Sequence, residues 1–397
     1  MKLGIAIPAL NEEDNIESII ERALAAKRYI KEHSAVTEVE VTVVSDGSTD
    51  RTVERAAKYG DLINLIVFTQ NQGYGAAIKE AWQKSDADVL GFLDADGTCD
   101  PEFFAPLCNQ LIDNNNDVVL GCRLNAKSEM PLLRRVGNVI FASLLSLFAR
   151  SRVRDTASGM RVVRRSSLNR LFPLPDGLHF TPAMSARAML SGALRIGEVD
   201  MPYHERVGES KLRVIKDGLR FLRVILESAF LYRPSRPLNA AALVMMASSA
   251  VLMYPPAVYY LRHHRVLEWM IYRFLVSHLL GIGAVLCVCA SYLSKRIIEI
   301  ALAEEVGSRK ASDWETFFRG GWFWTVNAVL AAAGGSLVLG SFLERLETGS
   351  TYEHWSRFIV MTSCFSAMAV LLVTRSLDYV LDLVRERAAY WQDLRKK

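Results

Sequence analysis

The chain's 397 residues leave room for about two or three domains, and its net charge of +4, with no basic tract, argues against a nucleic-acid partner. The six cysteines (Cys99, Cys108, Cys122, Cys287, Cys289 and Cys364) form no C-x-x-C pair, which leaves buried free thiols rather than a zinc site or a disulfide framework. The mean hydropathy of +0.15 blends two halves: residues 1 to about 235 are charge-rich, and those from about 238 onward carry long apolar segments.

Leu3 to Ile7 reads as a first strand, closed by Pro8. The N-terminus is too short and too quickly polar for a signal peptide, so the first domain is expected on the cytosolic side. Asn11-Glu12-Glu13-Asp14-Asn15 then leads into a helix marked by Ile16, Ile19, Ile20 and Leu24, with acids in the first turn where the helix dipole favours them. Val39 to Val44 is a second strand. It ends in Ser45-Asp46-Gly47-Ser48-Thr49-Asp50, with Asp50 as the expected N-cap of a helix from about Thr52. Leu62 to Phe68 is a third strand, followed by Asn71-Gln72-Gly73-Tyr74-Gly75-Ala76-Ala77 and a helix to about Trp82. With Ile78 where a third glycine would stand, Gly73 and Gly75 are no dinucleotide fingerprint.

Val89 to Leu93 is an apolar run that ends in Asp94-Ala95-Asp96, and Gly97 lets the chain leave sharply. Repeated strand, turn and helix predict a doubly wound parallel sheet with its site at the carboxyl end of the strands. By itself this stretch reads as a polar strand-to-loop turn, or as hard oxygen ligands for Mg²⁺ or Mn²⁺ shared with a pyrophosphate. No Walker lysine or G-x-S-x-G elbow competes with it, and the histidines lack ligand spacing.

Arg134 opens an amphipathic segment with Val136, Ile140, Phe141, Leu144, Leu145 and Phe148 on apolar positions, suited to the core or to a membrane surface. Leu212 to Tyr232 mixes Arg213, Lys216, Arg220 and Arg223 with Leu219, Leu222, Leu226 and Phe230. Four apolar stretches follow, about Leu238–Leu261, Ile271–Leu293, Trp322–Leu343 and Phe358–Leu377, each near the roughly 20 residues that span hydrocarbon. Lys295, Arg296, Arg309, Lys310 and Arg319 lie between the second and third stretches, and Arg385, Arg387, Arg395, Lys396 and Lys397 in the tail. By the positive-inside rule both termini are expected in the cytosol. Gly334-Gly335 and Gly340 suit close helix packing, between copies in a homo-oligomer or within one.

Three stretches in order, Pro8-Ala9-Leu10-Asn11-Glu12, Asp46-Gly47-Ser48-Thr49-Asp50 and Asp94-Ala95-Asp96, resemble glycosyltransferase family 2. Asp155-Thr156-Ala157-Ser158-Gly159-Met160-Arg161 and Arg206-Val207-Gly208-Glu209-Ser210-Lys211-Leu212 narrow the likeness to the polyprenyl-phosphate sugar synthases of the dolichyl-phosphate mannose synthase group. The resemblance implies an α/β GT-A domain, Rossmann-like with a mostly parallel sheet, over residues 1–211. Amphipathic juxtamembrane helices over 212–236, an all-α transmembrane domain of four helices over 237–380 and a basic cytosolic tail over 381–397 complete the expected layout.

It further implies that Pro8, Leu10, Glu12, Asp46, Gly75 and Asp94 line a UDP- or GDP-sugar, and that Asp94 and Asp96 hold Mg²⁺ or Mn²⁺. The acceptor phosphate would fall to Arg123, Arg134, Arg135, Arg161, Arg206, Ser210 and Lys211, with Arg206 and Lys211 joining Asp94 and Asp96 in catalysis. Ser45, Leu10 and Thr98 depart from the family's usual second acid, aromatic and metal-binding glutamine. They leave the nucleotide open and argue against a third protein ligand.

Sugar transfer needs the leaving diphosphate stabilised, which a divalent cation does as a Lewis acid. A sugar hydroxyl acceptor would also need a general base, whereas a lipid phosphate is already an anion and needs cations instead. The stretch His179-Phe180-Thr181-Pro182-Ala183-Met184 carries no acid where processive polysaccharide synthases place their base. The expected activity is therefore inverting transfer of one sugar to a polyprenyl phosphate in the membrane. Transfer to another lipid or a glycan, and a catalytically weak domain serving a lipid-linked sugar translocator or scaffold, stand as alternatives.

Overall fold

The computed structural model describes residues 1–125, 128, 130–149, 152–203, 214–301, 313–349 and 354–396. The chain divides into two units, Met1–Tyr232 and Arg233–Lys397. The first is built on a seven-stranded sheet of β1 (Lys2–Ala9), β2 (Glu38–Asp46), β3 (Asn64–Phe68), β4 (Val89–Leu93), β5 (Val118–Cys122), β6 (Met160–Arg164) and β7 (Ile196–Asp200). The spatial order is β3-β2-β1-β4-β6-β5-β7, with every pairing parallel except those of β6, which runs antiparallel to both β4 and β5.

The helices of this unit are α1 (Ile16–His33), α2 (Thr52–Ala57), α3 (Tyr74–Lys84), α4 (Phe104–Asp113), α5 (Leu132–Phe148), α6 (Leu168–Leu171), α7 (Phe180–Leu190) and α8 (Val214–Tyr232). Short strands covered on both faces read as continuous apolar runs, and all five residues of β4 and of β5 are buried. One side of the sheet packs Ile5, Ile7, Val41 and Val43 against Ile16, Ile20 and Ile30 of α1 and Leu107 of α4. The other packs Val44, Leu90, Phe92 and Val163 against Ile78 and Trp82 of α3 and Phe180 and Met184 of α7. A third cluster joins Leu145 and Phe148 of α5, Met189 of α7 and Ile225 and Ala229 of α8.

The spacing-based reading of α5 is split by the fold. Phe141, Leu144, Leu145 and Phe148 turn inward, while Val136 and Ile140 share an exposed apolar stripe with Leu132, Val139 and Leu147. Of the expected juxtamembrane segment 212–236, residues 214–232 form α8 of the first unit, whose exposed face mixes Leu219, Phe230 and Leu231 with Lys216, Arg220 and Arg223.

The second unit consists of α9 (Ser235–His263), α10 (Ile271–Ala301), α11 (Asp313–Arg319), α12 (Gly321–Thr348) and α13 (Trp355–Lys396). Among the described residues four helical segments are long and apolar enough to cross a membrane: Ser235–His263, Glu268–Ala301, Gly321–Glu347 and Trp355–Ala388. Pro255 and Pro256 lie inside α9. α13 runs on through the expected tail at 381–397 as far as Lys396. Asp378, fully buried, meets Arg296, Arg319 and Arg375, and Asp382 meets Arg296 and Arg319. Several of the cations counted for orientation are thus held in ion pairs.

Candidate active site

The carboxyl ends of β1, β2 and β4 open onto one cavity of about 480 Å³, the size of a small-molecule site. Its lining brings together Pro8, Leu10, Glu12, Asp46, Asp94, Asp96, Arg123 and Arg134 of the residues expected from sequence, and adds Tyr74, Thr98, Gly159, Tyr203 and Arg220.

Asp94 and Asp96 follow the last residue of β4. The turn beyond them needs a left-handed residue, which Gly97 supplies at φ +73°. Arg22 of α1 secures that turn from outside by donating to the carbonyls of Gly97 and Cys99, each at 3.0 Å. The Asp96 carboxylate accepts from the hydroxyl of Thr98 at 2.7 Å and from its backbone N–H at 3.2 Å. Thr98 therefore fixes the rotamer of Asp96. The Asp94 carboxylate accepts from the Tyr74 hydroxyl at 2.6 Å. Burial first, and then the charge of Asp94, push the Tyr74 phenol well above its ordinary pKa, so it remains a donor.

The wall formed by the second motif is woven to the first. Asn11 accepts from the Thr49 backbone N–H at 2.8 Å, and the backbone N–H of Glu12 donates to Thr52 Oγ1 at 2.8 Å. Asp50, expected as the N-cap of α2, stands one residue before the N-cap Arg51 and accepts from the Thr52 N–H at 3.0 Å. Asp46 lies on the cavity, but its buried carboxylate accepts the backbone N–H of Gln72 at 2.7 Å and that of Gly73 at 2.9 Å. It holds the loop after β3, a task that the expected contact with a nucleotide base did not include.

Gly75 is placed differently from the sequence expectation. It is buried beneath the cavity wall, its N–H donating to the Asp176 carbonyl at 2.6 Å. A Cβ there would stand 2.2 Å from the Pro175 carbonyl oxygen, so the glycine serves helix seating rather than a nucleotide.

Of the cations expected at the acceptor phosphate, Arg161 does not reach the cavity. It is fully buried and donates to the carbonyls of Ser158 and Thr156 and to Ser185 Oγ of α7. Burial pulls its pKa down to about 10, which still leaves it charged at neutral pH. Arg135 points to solvent: one residue along a helix is a turn of about 100°, and Arg134 alone of the two lines the cavity.

Arg123 lines the cavity while gripping the fully buried Asp155 with Nε at 2.7 Å and Nη2 at 3.0 Å, its guanidinium 5.5 Å from the Tyr203 ring centroid. Burial would raise the Asp155 carboxyl, but the Arg123 charge and its hydrogen bonds outweigh that and hold it below the usual range. Arg206, Ser210 and Lys211 lie outside the described residues. Arg220 of α8 enters the cavity lining opposite α5, with Asp217 as its ion-pair partner at 3.0 Å.

Among the described residues no group of three or more His, Cys, Asp or Glu side chains is arranged to hold a metal. What the strand end offers is two carboxylates and a threonine hydroxyl. These hard oxygen donors fit a cation such as Mg²⁺ that keeps water and substrate phosphates among its ligands.

A mostly parallel GT-A-like sheet with a carboxylate pair at the end of its central strand is the framework of a nucleotide-sugar transferase. Residues 4–172 match glycosyl transferase family 2, and the chain belongs to that family. A dolichyl-phosphate hexose transferase of Haloferax volcanii is 35% identical over 223 residues, covering 54% of this chain and 89% of that protein. A low-salt glycan biosynthesis hexosyltransferase of the same organism is 34% identical over 241 residues, covering 59% of this chain and 55% of that protein, so the chain spans about half of its length. Among solved structures, glucosyl-3-phosphoglycerate synthase from Mycobacterium tuberculosis, crystallised with Mn²⁺, UDP and glucosyl-3-phosphoglycerate, matches with a TM-score of 0.45 and 22% identity over 57% of this chain and 80% of that one. At that score the likeness fixes neither donor nor cation.

Proposed function

We propose that this chain is a membrane-anchored, inverting glycosyltransferase that moves one sugar from a nucleotide-sugar donor to the phosphate of a polyprenol. The observation that carries the reading is a single cavity. Asp94 and Asp96 stand on its sheet side, and Arg134 and Arg220 enter from two helices whose outer faces expose apolar side chains. An acceptor with an anionic head and a hydrocarbon tail matches that division. The activity for which the dolichyl-phosphate hexose transferase is named supports the same acceptor class.

In this reading Pro8, Leu10 and Glu12 flank the nucleotide, and Asp94 and Asp96 hold Mg²⁺ or Mn²⁺ at its diphosphate. The cation, when bound, offsets the charge that builds on that diphosphate. Arg123, Arg134 and Arg220, which all line the cavity, orient the lipid phosphate; Arg206, Ser210 and Lys211, expected to share that task, lie outside the described residues. A phosphate oxygen attacks the anomeric carbon as the bond to the donor's β-phosphate oxygen breaks, and the nucleoside diphosphate leaves with the electron pair. No proton has to be removed. The acids lining the described cavity are Glu12, Asp46, Asp94 and Asp96, and the last three already serve as loop and ligand anchors. The exposed stripe of α5 and the mixed face of α8 lie along the lipid surface. The four apolar helices span the bilayer, with the catalytic unit and both termini cytosolic.

The test is a panel of UDP- and GDP-sugars with the full chain in lipid nanodiscs, polyprenyl phosphate and Mg²⁺ or Mn²⁺, read by mass spectrometry of the lipid. One hexose-scale mass increment on polyprenyl phosphate, absent with neutral polyprenol, is expected. Comparable transfer to neutral polyprenol or to a glycan hydroxyl would overturn the reading.

A further inference from the structure

Gly73-Tyr74-Gly75 is no dinucleotide cradle, and the fold gives it another task. The backbone N–H groups of Gly75 and Ala76 both donate to the Asp176 carbonyl, at 2.6 and 3.2 Å, so the start of α3 is sealed by a loop rather than open to a phosphate. Both glycines are required by that contact. A Cβ at Gly73 would lie 2.4 Å from the Asp176 carbonyl oxygen, and one at Gly75 2.2 Å from that of Pro175. The tyrosine between them is thereby set in one place. Its ring meets Phe92 of β4 edge-on at 6.3 Å and Phe180 of α7 at 6.4 Å, within the aromatic cluster that includes Trp82. From that seat its hydroxyl reaches Asp94 Oδ1 at 2.6 Å. The other carboxylate oxygen is backed by Gly159, where a Cβ would stand 1.7 Å from Oδ2.

We propose that Tyr74 is a positioning residue which, with Gly159 as a backstop, holds the Asp94 carboxylate in the single orientation that receives a divalent cation. The proposal rests on the reading of Asp94 and Asp96 as cation ligands. It assigns each carboxylate its own holder: Thr98 for Asp96, through a hydroxyl two residues along the chain, and Tyr74 for Asp94, through a phenol at the start of α3. An oriented carboxylate loses less freedom when the cation arrives, which is how a supporting hydrogen bond strengthens a ligand set.

Tyr74→Phe keeps the packed ring and removes only the donor. Mn²⁺ binding to the full chain is read by electron paramagnetic resonance of free Mn²⁺ in saturating UDP or GDP, alongside a melting curve and transfer kinetics. The expected result is an unchanged melt, Mn²⁺ affinity weakened roughly tenfold or more, a lower kcat, and a KM for polyprenyl phosphate within about twofold of wild type. Gly159→Ala, which crowds Asp94 from the opposite side, should weaken Mn²⁺ in the same direction and stands in if Tyr74→Phe does not fold. Wild-type Mn²⁺ affinity in folded Tyr74→Phe, or no nucleotide-dependent Mn²⁺ binding by the wild type, would overturn the proposal. Normal Mn²⁺ behaviour in a protein that transfers nothing to polyprenyl phosphate would instead remove the acceptor reading and leave the positioning role standing.

Discussion

Replacing Asp155 by Asn separates chemistry from architecture at the fully buried acid that holds Arg123 beside the cavity. Asp155 accepts the Arg123 backbone N–H at 3.1 Å, the Arg123 guanidinium at 2.7 and 3.0 Å, and Asn138 Nδ2 at 3.3 Å, while its own N–H donates to Glu198 at 3.1 Å. It thus ties β5, α5 and the approach to β6 to the edge strand β7. Removing one partner of a buried ion pair costs about 3–5 kcal/mol, because the other charge remains buried. The side chain of Arg123 is 11% exposed and borders the cavity, so the cost falls at the lower end, about 3 kcal/mol.

For a unit of this size that corresponds to a drop in Tm of roughly 6–12 °C, read by near-ultraviolet circular dichroism of the full chain in detergent. Because the folded pKa of Asp155 is depressed, its contribution is present above the unfolded value of about 3.9 and is lost as pH falls through the folded value. The two melting curves should therefore converge below about pH 4. Replacing both Arg123 and Asp155 by apolar residues should recover part of the loss. A variant that melts like wild type but transfers nothing would refute this reasoning and make Asp155 the base that the anionic acceptor was argued to render unnecessary.

Two further outcomes are expected. Burial pushes the thiols of Cys99, Cys108 and Cys122 up to about 12, whereas unfolded thiols ionise near about 8.5, so the unfolded state holds fewer protons in that window and stability falls as pH rises through it; Cys108→Ala should lessen the fall by up to about 1.4 kcal/mol per pH unit in denaturant melts, and an unaltered slope would count against it. Asp46→Ala should speed hydrogen exchange at the Gln72 and Gly73 amides and weaken nucleoside diphosphate binding together, and weakened binding with unaltered exchange would make Asp46 a direct nucleotide contact instead of a loop anchor.

The first half of the sheet was legible because its βαβ units repeat strand, polar turn and helix without interruption, so Leu3–Ile7, Val39–Val44 and the run from Val89 match strands to within a few residues. At Leu62–Phe68 the strand begins only at Asn64, after a single turn over Gly60–Leu62. The second half loses that rhythm. β6 enters the sheet antiparallel between β4 and β5, and both of its faces are covered, so Met160-Arg161-Val162-Val163 shows no alternation that would betray an inward-facing arginine. By sequence alone, a charged residue inside a motif reads as a ligand. Of its partners, Ser158 and Thr156 lie in the turn just before the strand, whereas Ser185 belongs to α7 and is brought beside it only by the fold.

The same distinction between spacing and partnership governs the site itself. Residues that act through their own strand end, such as Asp94, Asp96 and Thr98, are visible in sequence because their geometry is local. Tyr74 and Asp94 are twenty positions apart, and Arg123 and Asp155 thirty-two, so whether a polar group faces the cavity or a partner is decided by the fold. Arg220 is the clearest case. Its helical spacing places it with Lys216 and Arg223 on a solvated basic face, and nothing in the period separates the three. The structure does, because α8 lies against α5 through the Phe141–Phe221 contact at 5.8 Å, which brings Gly218, Arg220 and Phe221 to the cavity edge while Lys216 and Arg223 stay outside its lining. On the proposed reading, a cation at that edge beside an exposed apolar stripe is where a lipid phosphate's charge and its hydrocarbon would be met within one helix turn.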